Sequence, residues 1–158
     1  MGKIYETDED IVKMVEDQFA KTGLESYGLN LRVMSLTKAK DMIKVSKASA
    51  ATEFIAQKED MVQVFIYEDA FALMDEKSQL LLIEMALSAV SFDSEKEKIN
   101  IESNPFVPLF NMRKKYGEVA VNVLEASYLA IKQLEDSKKN NTPAQDITPE
   151  EAGITRKE

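Results

Sequence analysis

The stretch LLLIEMALSAV, residues 80–90, decides the fold, because it places one carboxylate, Glu84, among eight aliphatic side chains, one Met and one Ser. Asp75 is a good N-cap, so we expect a helix that starts there and runs to about Val90. At about 100° per residue, the polar side chains of this helix share one narrow stripe, formed by Lys77, Glu84, Ser88 and Ser91. Since nearly all other positions are apolar, the helix must be buried on most of its sides.

The segments around this helix predict the other elements of an α+β domain. The best strand is MVQVFIYE, residues 61–68, and residues 29–36 alternate apolar and polar side chains as a half-buried strand does. The stretch SFDSEKEKINIE contains two short extended pieces that predict a hairpin or a strand with a loop. Further helices are predicted at 8–21, 46–58, 106–116 and 118–136. The result is a small, mostly antiparallel or mixed sheet packed on helices, with a long C-terminal helix.

The chain of 158 residues has the length of one domain, which we place at residues 1–136. The remaining segment, residues 137–158, holds two Pro, paired Asn and scattered charge, so we expect a flexible polar and acidic tail. The N-terminal sequence has no secretion-signal pattern, and no apolar run is long enough to cross a bilayer. These features predict a soluble protein of the cytoplasm.

The composition excludes several kinds of chemistry. The sequence contains no Cys and no His, which rules out disulfides, thiolate metal sites, imidazole bases and zinc sites with His ligands. No glycine-rich phosphate loop is present, and we expect no bound cofactor. Acidic residues clustered near Asp93 and Glu95 are typical of a solvated turn rather than a cation site.

Net charge bears on the class of partner. The formal charge of -8 opposes binding to phosphate backbones unless the basic residues cluster. The one such cluster is Arg113, Lys114 and Lys115, in the last turn of the predicted helix 106–116. Cations at this position offset the helix dipole, and contact with a phosphate or a partner is the alternative interpretation.

The order of elements and a few side chains give a resemblance to a known family. A β-rich strand precedes the helix with Asp75-Glu76 at its start and Glu84 at its centre, and a segment with Phe110 closes on Tyr116-Gly117. Over roughly residues 5–120 this order resembles the phage metallopeptidases, small zincin-like relatives of the SprT group. In that family the helix bears His-Glu-x-x-His, whereas this sequence has Ile83-Glu84-Met85-Ala86-Leu87.

The resemblance implies a zincin-like fold whose zinc ligands are lost. The position of the general base is kept as Glu84, but Ile83 and Leu87 stand where the two His ligands would be, and a hydrolytic zinc needs about three protein ligands. The resemblance therefore implies a non-catalytic, metal-free, phage-encoded protein of the host cytoplasm that binds another protein, with the cleft walls and the tail as contact surfaces.

Three alternatives stay open at this stage. In the first, the helix 75–90 is an ordinary core helix that never held a metal, with Glu84 reaching solvent or pairing with a Lys. The acidic charge and viral resemblance also suit a DNA mimic or a nucleic-acid-associated phage protein. The third alternative is a virion or assembly component whose tail orders against neighbouring subunits.

Overall fold

The computed structural model describes residues 2–140 and has an α+β architecture. The strands are β1 (Ile4–Glu6), β2 (Asn30–Leu36), β3 (Ile43–Lys47), β4 (Met61–Ile66), β5 (Val90–Asp93) and β6 (Lys98–Ile101). The helices are α1 (Glu9–Lys21), α2 (Ala50–Ala56), α3 (Glu68–Phe71), α4 (Glu76–Leu87), α5 (Phe106–Tyr116) and α6 (Glu118–Asn140). The predicted fold class, with a mixed sheet and a long C-terminal helix, is confirmed.

The main sheet has four strands in the order β1-β2-β4-β3. Its centre is the parallel pair of β2 and β4, while β1 and β3 are antiparallel to their neighbours and form the two edges. The strands β5 and β6 form a separate antiparallel hairpin, which confirms the extended pieces expected in residues 91–102.

One face of the main sheet carries the hydrophobic core. Val62, Val64 and Ile66 of β4 are almost fully buried, and the register places Leu31 and Val33 of β2 beside the first two. On the other side of β4, Ile43 and Val45 of β3 pack against the same core. The helices α1 and α4 pack against this face, through side chains such as Val15, Phe19, Leu81 and Ile83.

The helix α4 begins and ends for identifiable reasons. The Asp75 carboxylate accepts a hydrogen bond from the Ser78 amide at 3.2 Å, which caps the first turn as the sequence predicted. The helix ends at Leu87, three residues before the expected boundary, because Val90 pairs with Ile101 in the β5–β6 hairpin.

Two other expected boundaries need correction. Residues 46–58 were expected to be one helix, but Ser46 and Lys47 belong to β3 and only Ala50–Ala56 is helical, with Ser49 as N-cap. The final helix continues to Asn140, past the expected end at residue 136. The rest of the expected tail, residues 141–158, lies outside the described residues. Within residues 2–140, no helix is both long and apolar enough to span a bilayer.

Candidate functional site

A groove of about 380 Å³ lies between the free edge of β3 and the helices α4, α5 and α6. The strand side is formed by β3 and the residues just before it, and the opposite side by the three helices and the end of β6. Its lining is Asp41, Met42, Ile43, Lys44, Val45, Leu82, Met85, Ala86, Ala89, Ile101, Glu102, Ser103, Pro105, Pro108, Leu124, Ser127 and Tyr128.

The β3 edge presents unpaired backbone groups to this groove. Tyr67 N–H donates to the Met42 carbonyl, and Ala48 N–H donates to the Met61 carbonyl, each at 2.9 Å. In an antiparallel pair, such hydrogen-bonded positions alternate with positions whose N–H and C=O point away from the partner strand. Ile43, Val45 and Lys47 are therefore the outward positions, and no other strand of the described chain pairs with them.

The wall opposite β3 is mainly hydrocarbon. Leu82, Met85 and Ala86 face the groove from α4, and Pro105 and Pro108 flank it at the start of α5. Of the seventeen lining residues only Asp41, Lys44 and Glu102 have acidic or basic side chains of the Asp, Glu, Lys or Arg type. A chemical group that fills this space would thus meet apolar side chains on one side and free peptide groups on the other.

A hydrogen bond links two sides of the groove. The Tyr128 hydroxyl, on α6, donates to the Asp41 carboxylate at 2.9 Å, just before β3. Partial burial raises the pKa of Tyr128, and the hydrogen bond to Asp41 raises it further. The phenol is therefore neutral at ordinary pH and holds the loop before β3 against α6.

The degenerate metal positions expected from the sequence do not lie in this groove. Ile83 and Leu87 are each 1% exposed and belong to the hydrophobic core. The groove-facing pair with the same spacing is Leu82 and Ala86, one residue earlier on α4. The apolar face of α4 that lines the groove is therefore different from the face that the resemblance implies.

Glu84 lies outside the groove as well, in a polar cluster with the end of α5. Its carboxylate accepts hydrogen bonds from Lys115 Nζ and from the Tyr116 hydroxyl, both at 2.7 Å. The hydrogen bond to Glu84 raises the pKa of Lys115, which stays a cation. Pairing with a Lys is the alternative that the sequence left open, and here Glu84 ties α4 to α5.

The remaining basic residues of the cluster at 113–115 also have partners. Arg113 forms a salt bridge with Glu118 at 2.6 Å, and Lys114 Nζ lies 4.6 Å from the centre of the Phe110 ring. All three cations stand in the last turn of α5, as expected from the helix dipole. Each of these side chains has an intramolecular partner, and contact with a phosphate or a partner stays a prediction.

The sequence interpretation missed the strand that matters most for the groove. The signal was present, because the apolar Ile43 and Val45 alternate with the polar Lys44 and Ser46 over IKVSK. The Ala-rich run that follows favoured a helix and obscured it.

Comparison with known proteins finds no relative of this chain. No protein-family model, no curated protein and no solved structure matches the chain. In the part of the chain that the structure describes, no three His, Cys, Asp or Glu side chains lie close enough to hold a metal ion.

Proposed function

We propose that this chain is a non-catalytic, metal-free protein-binding module that takes an extended segment of another protein into the groove. The segment would run beside β3 and pair with the outward N–H and C=O groups of Ile43, Val45 and Lys47. Its alternate side chains would enter the apolar space against Leu82 and Ala86. This is strand addition, in which backbone hydrogen bonds give affinity and side-chain pockets give selectivity.

The observation that carries the proposal is the coincidence of a free strand edge with an apolar groove. Natural sheets usually cover, twist or charge such edges, because unpaired strands attract other chains. Here no strand of the described residues pairs with the edge, although β6 lies close to part of it, and a volume of about 380 Å³ lies next to it. That volume is at the low end of the range for ligand sites, and suits a segment of a few residues.

The proposal keeps the peptide-binding cleft that the resemblance to metallopeptidases implies, but not the zinc chemistry of that family. A hydrolytic zinc site needs imidazole or carboxylate ligands, and the groove-facing positions of α4 carry Leu82, Met85 and Ala86 instead. Hydrocarbon at these positions favours retention of an apolar segment, since each buried CH₂ contributes about 0.8 kcal/mol. We include descent from a zincin-like peptidase, and a phage origin, as parts of this proposal.

The test begins with peptides selected from a random display library on the immobilised full chain. Their dissociation constants are then measured by fluorescence anisotropy against two variants. Val45→Pro removes an outward N–H and leaves the hydrogen bonds between β3 and β4 in place, as proline does on edge strands. Ala86→Phe fills the groove, and Ala20→Phe on the exposed side of α1 adds the same ring elsewhere.

We expect the selected peptides to alternate apolar residues and to bind at least about tenfold more weakly to each of the first two variants. The Ala20→Phe control should bind as the unchanged chain does. Circular dichroism confirms that each variant is folded. If no peptide is enriched, or if the binding survives both Val45→Pro and Ala86→Phe, the proposed function is wrong.

A further inference from the structure

A second surface lies on the face of the main sheet that points away from the core, which we call the outer face. It consists of the side chains that alternate with the core-facing ones on the four strands. They are Ile4 and Glu6 of β1, Asn30, Arg32, Met34 and Leu36 of β2, Met61, Gln63 and Phe65 of β4, and Lys44 and Ser46 of β3.

Apart from Met61, which is 2% exposed at the start of β4, the outer face is not covered by the elements that form the core. Met34, Leu36 and Phe65 are half-buried, yet none of them packs against the hydrophobic core of the described residues. Ile4 is 61% exposed. The face therefore combines large apolar side chains with open access, which is typical of a surface that binds another protein.

The charges on this face have a definite order. The register aligns Glu6 with Met34, Met34 with Phe65, and Phe65 with Lys44, so that these four side chains form one row across the sheet. The row has an acid at one edge, two apolar side chains in the middle and a base at the other edge. Neither Glu6 nor Lys44 forms a salt bridge with any residue from 2 to 139.

We propose that the outer face binds a second copy of this chain, face to face, about a two-fold axis that runs along the strands. Such an axis places each row opposite the same row of the second copy, with the order of the strands reversed. Glu6 of one copy therefore meets Lys44 of the other, and Met34 meets Phe65. The Glu6–Lys44 charge pair and the Met34–Phe65 contact each form twice, because a two-fold interface repeats each contact. Two sheets packed in this aligned manner are the common geometry of β-sandwiches.

The size of the face sets the strength of the association. Four strands about 4.8 Å apart and about five residues long, at about 3.3 Å per residue, give a face of roughly 19 by 17 Å. Two such faces bury roughly 600–1,000 Å² of surface in total, whereas the interfaces of stable complexes bury at least about 1,200 Å². The dimer is therefore weak, and we expect it at chain concentrations of about 0.1 mM and above.

The experiment is sedimentation equilibrium of the full chain from about 0.01 to about 1 mM at about 0.15 M salt, where long-range repulsion between the acidic copies is screened. Glu6→Lys and Lys44→Glu each place like charges opposite each other at both pairs of the dimer. We expect each variant to weaken association by about tenfold or more. Lys47→Glu is the matched control, since Lys47 stands on the same strand but alternates to the opposite side.

Mixing the two variants gives the decisive result. The Glu6→Lys copy offers two bases and the Lys44→Glu copy two acids, so the mixture should form heterodimers at least as readily as the unchanged chain forms homodimers. A chain that stays monomeric throughout, or a dimer that neither substitution weakens, overturns the proposal. Failure of the mixture to associate overturns it as well. Because Glu6 does not line the groove, the Glu6→Lys result is independent of peptide binding, whereas Lys44 lines the groove and the Lys44→Glu variant is tested for peptide binding as well.

Discussion

Two buried positions on α4 allow a quantitative test of which face of the helix meets the core. Replacing Ile83 and Leu87 together by His removes two aliphatic side chains that are each 1% exposed. Each loses about 1.5–3 kcal/mol of apolar burial, and each ring brings polar nitrogens without partners, at about 1–3 kcal/mol. The two sites are one helical turn apart and couple, so we expect a total loss of about 5–10 kcal/mol. This is comparable with the whole stability of a typical domain, about 5–15 kcal/mol.

The matched control places the same two rings, at the same spacing, on the groove side of α4. Leu82→His with Ala86→His removes one buried side chain, whereas Ala86 is only half-buried and its replacement can extend into the groove. Since the ring at position 86 keeps access to water, the loss comes mainly from Leu82, and we expect about 2.5–6 kcal/mol, roughly half that of the core pair.

Urea unfolding followed by far-ultraviolet circular dichroism measures both losses. If the Ile83→His/Leu87→His variant unfolds within about 2 kcal/mol of the unchanged chain, the two residues do not lie in the core as described. Tight zinc binding by this variant, seen as an increase of its urea midpoint, would contradict the same placement and would indicate a preserved metal site.

Three further predictions concern single contacts. Asp75→Ala removes the N-cap of α4 and should lower the free energy of unfolding by about 1 kcal/mol in urea titrations, with Asp75→Ser restoring most of it. Burial raises the pKa of Tyr67, and the hydrogen bond that its hydroxyl donates to Glu135 at 2.6 Å raises it further. Because the folded-state pKa of Tyr67 lies above the unfolded value of about 10, the stability that its protonated hydroxyl contributes is complete below about pH 10 and is lost as the pH rises. The free energy of unfolding should therefore fall above about pH 10, and it should fall less steeply in Tyr67→Phe. Glu84→Gln weakens the contacts to Lys115 and Tyr116, so amide hydrogen exchange should accelerate in the last turn of α5 and stay unchanged at the start of α4; equal exchange in both proteins would show that the cluster does not hold α5.

The sequence predicted those elements whose local pattern and tertiary role agree. The strand β4 is both β-branched and central, and α1 begins after an acidic cap and ends before Gly23, so both appear close to the expected boundaries. The short strand β1 was missed because its three residues gain their strand character only by pairing with β2. Residues 43–47 likewise become a strand by pairing with β4, which a propensity for helix in the following run does not reveal.

The direction in which α4 faces was the hardest property to infer. A helix that is apolar almost all round has little amphipathic contrast, so its sequence does not show whether Ile83 or Leu82 meets the groove. The partner of Glu84 was equally hidden, because Lys115 is 31 residues away in sequence and approaches only through the placement of α5 on α4. Long-range packing decides both points.

The parallel pairing at the centre of the sheet has a consequence for the order of folding. Asn30 and Met61 pair across 31 residues of chain, whereas Lys47 and Val62 pair across 15. Closing the shorter loop loses less chain entropy, so we expect the β3–α2–β4 unit to form early and β2 to join a preformed edge of β4. The β1–β2 pairing also closes a long loop, with 28 residues between Glu6 and Met34, so we expect these two long-range pairings to set the refolding rate of this chain.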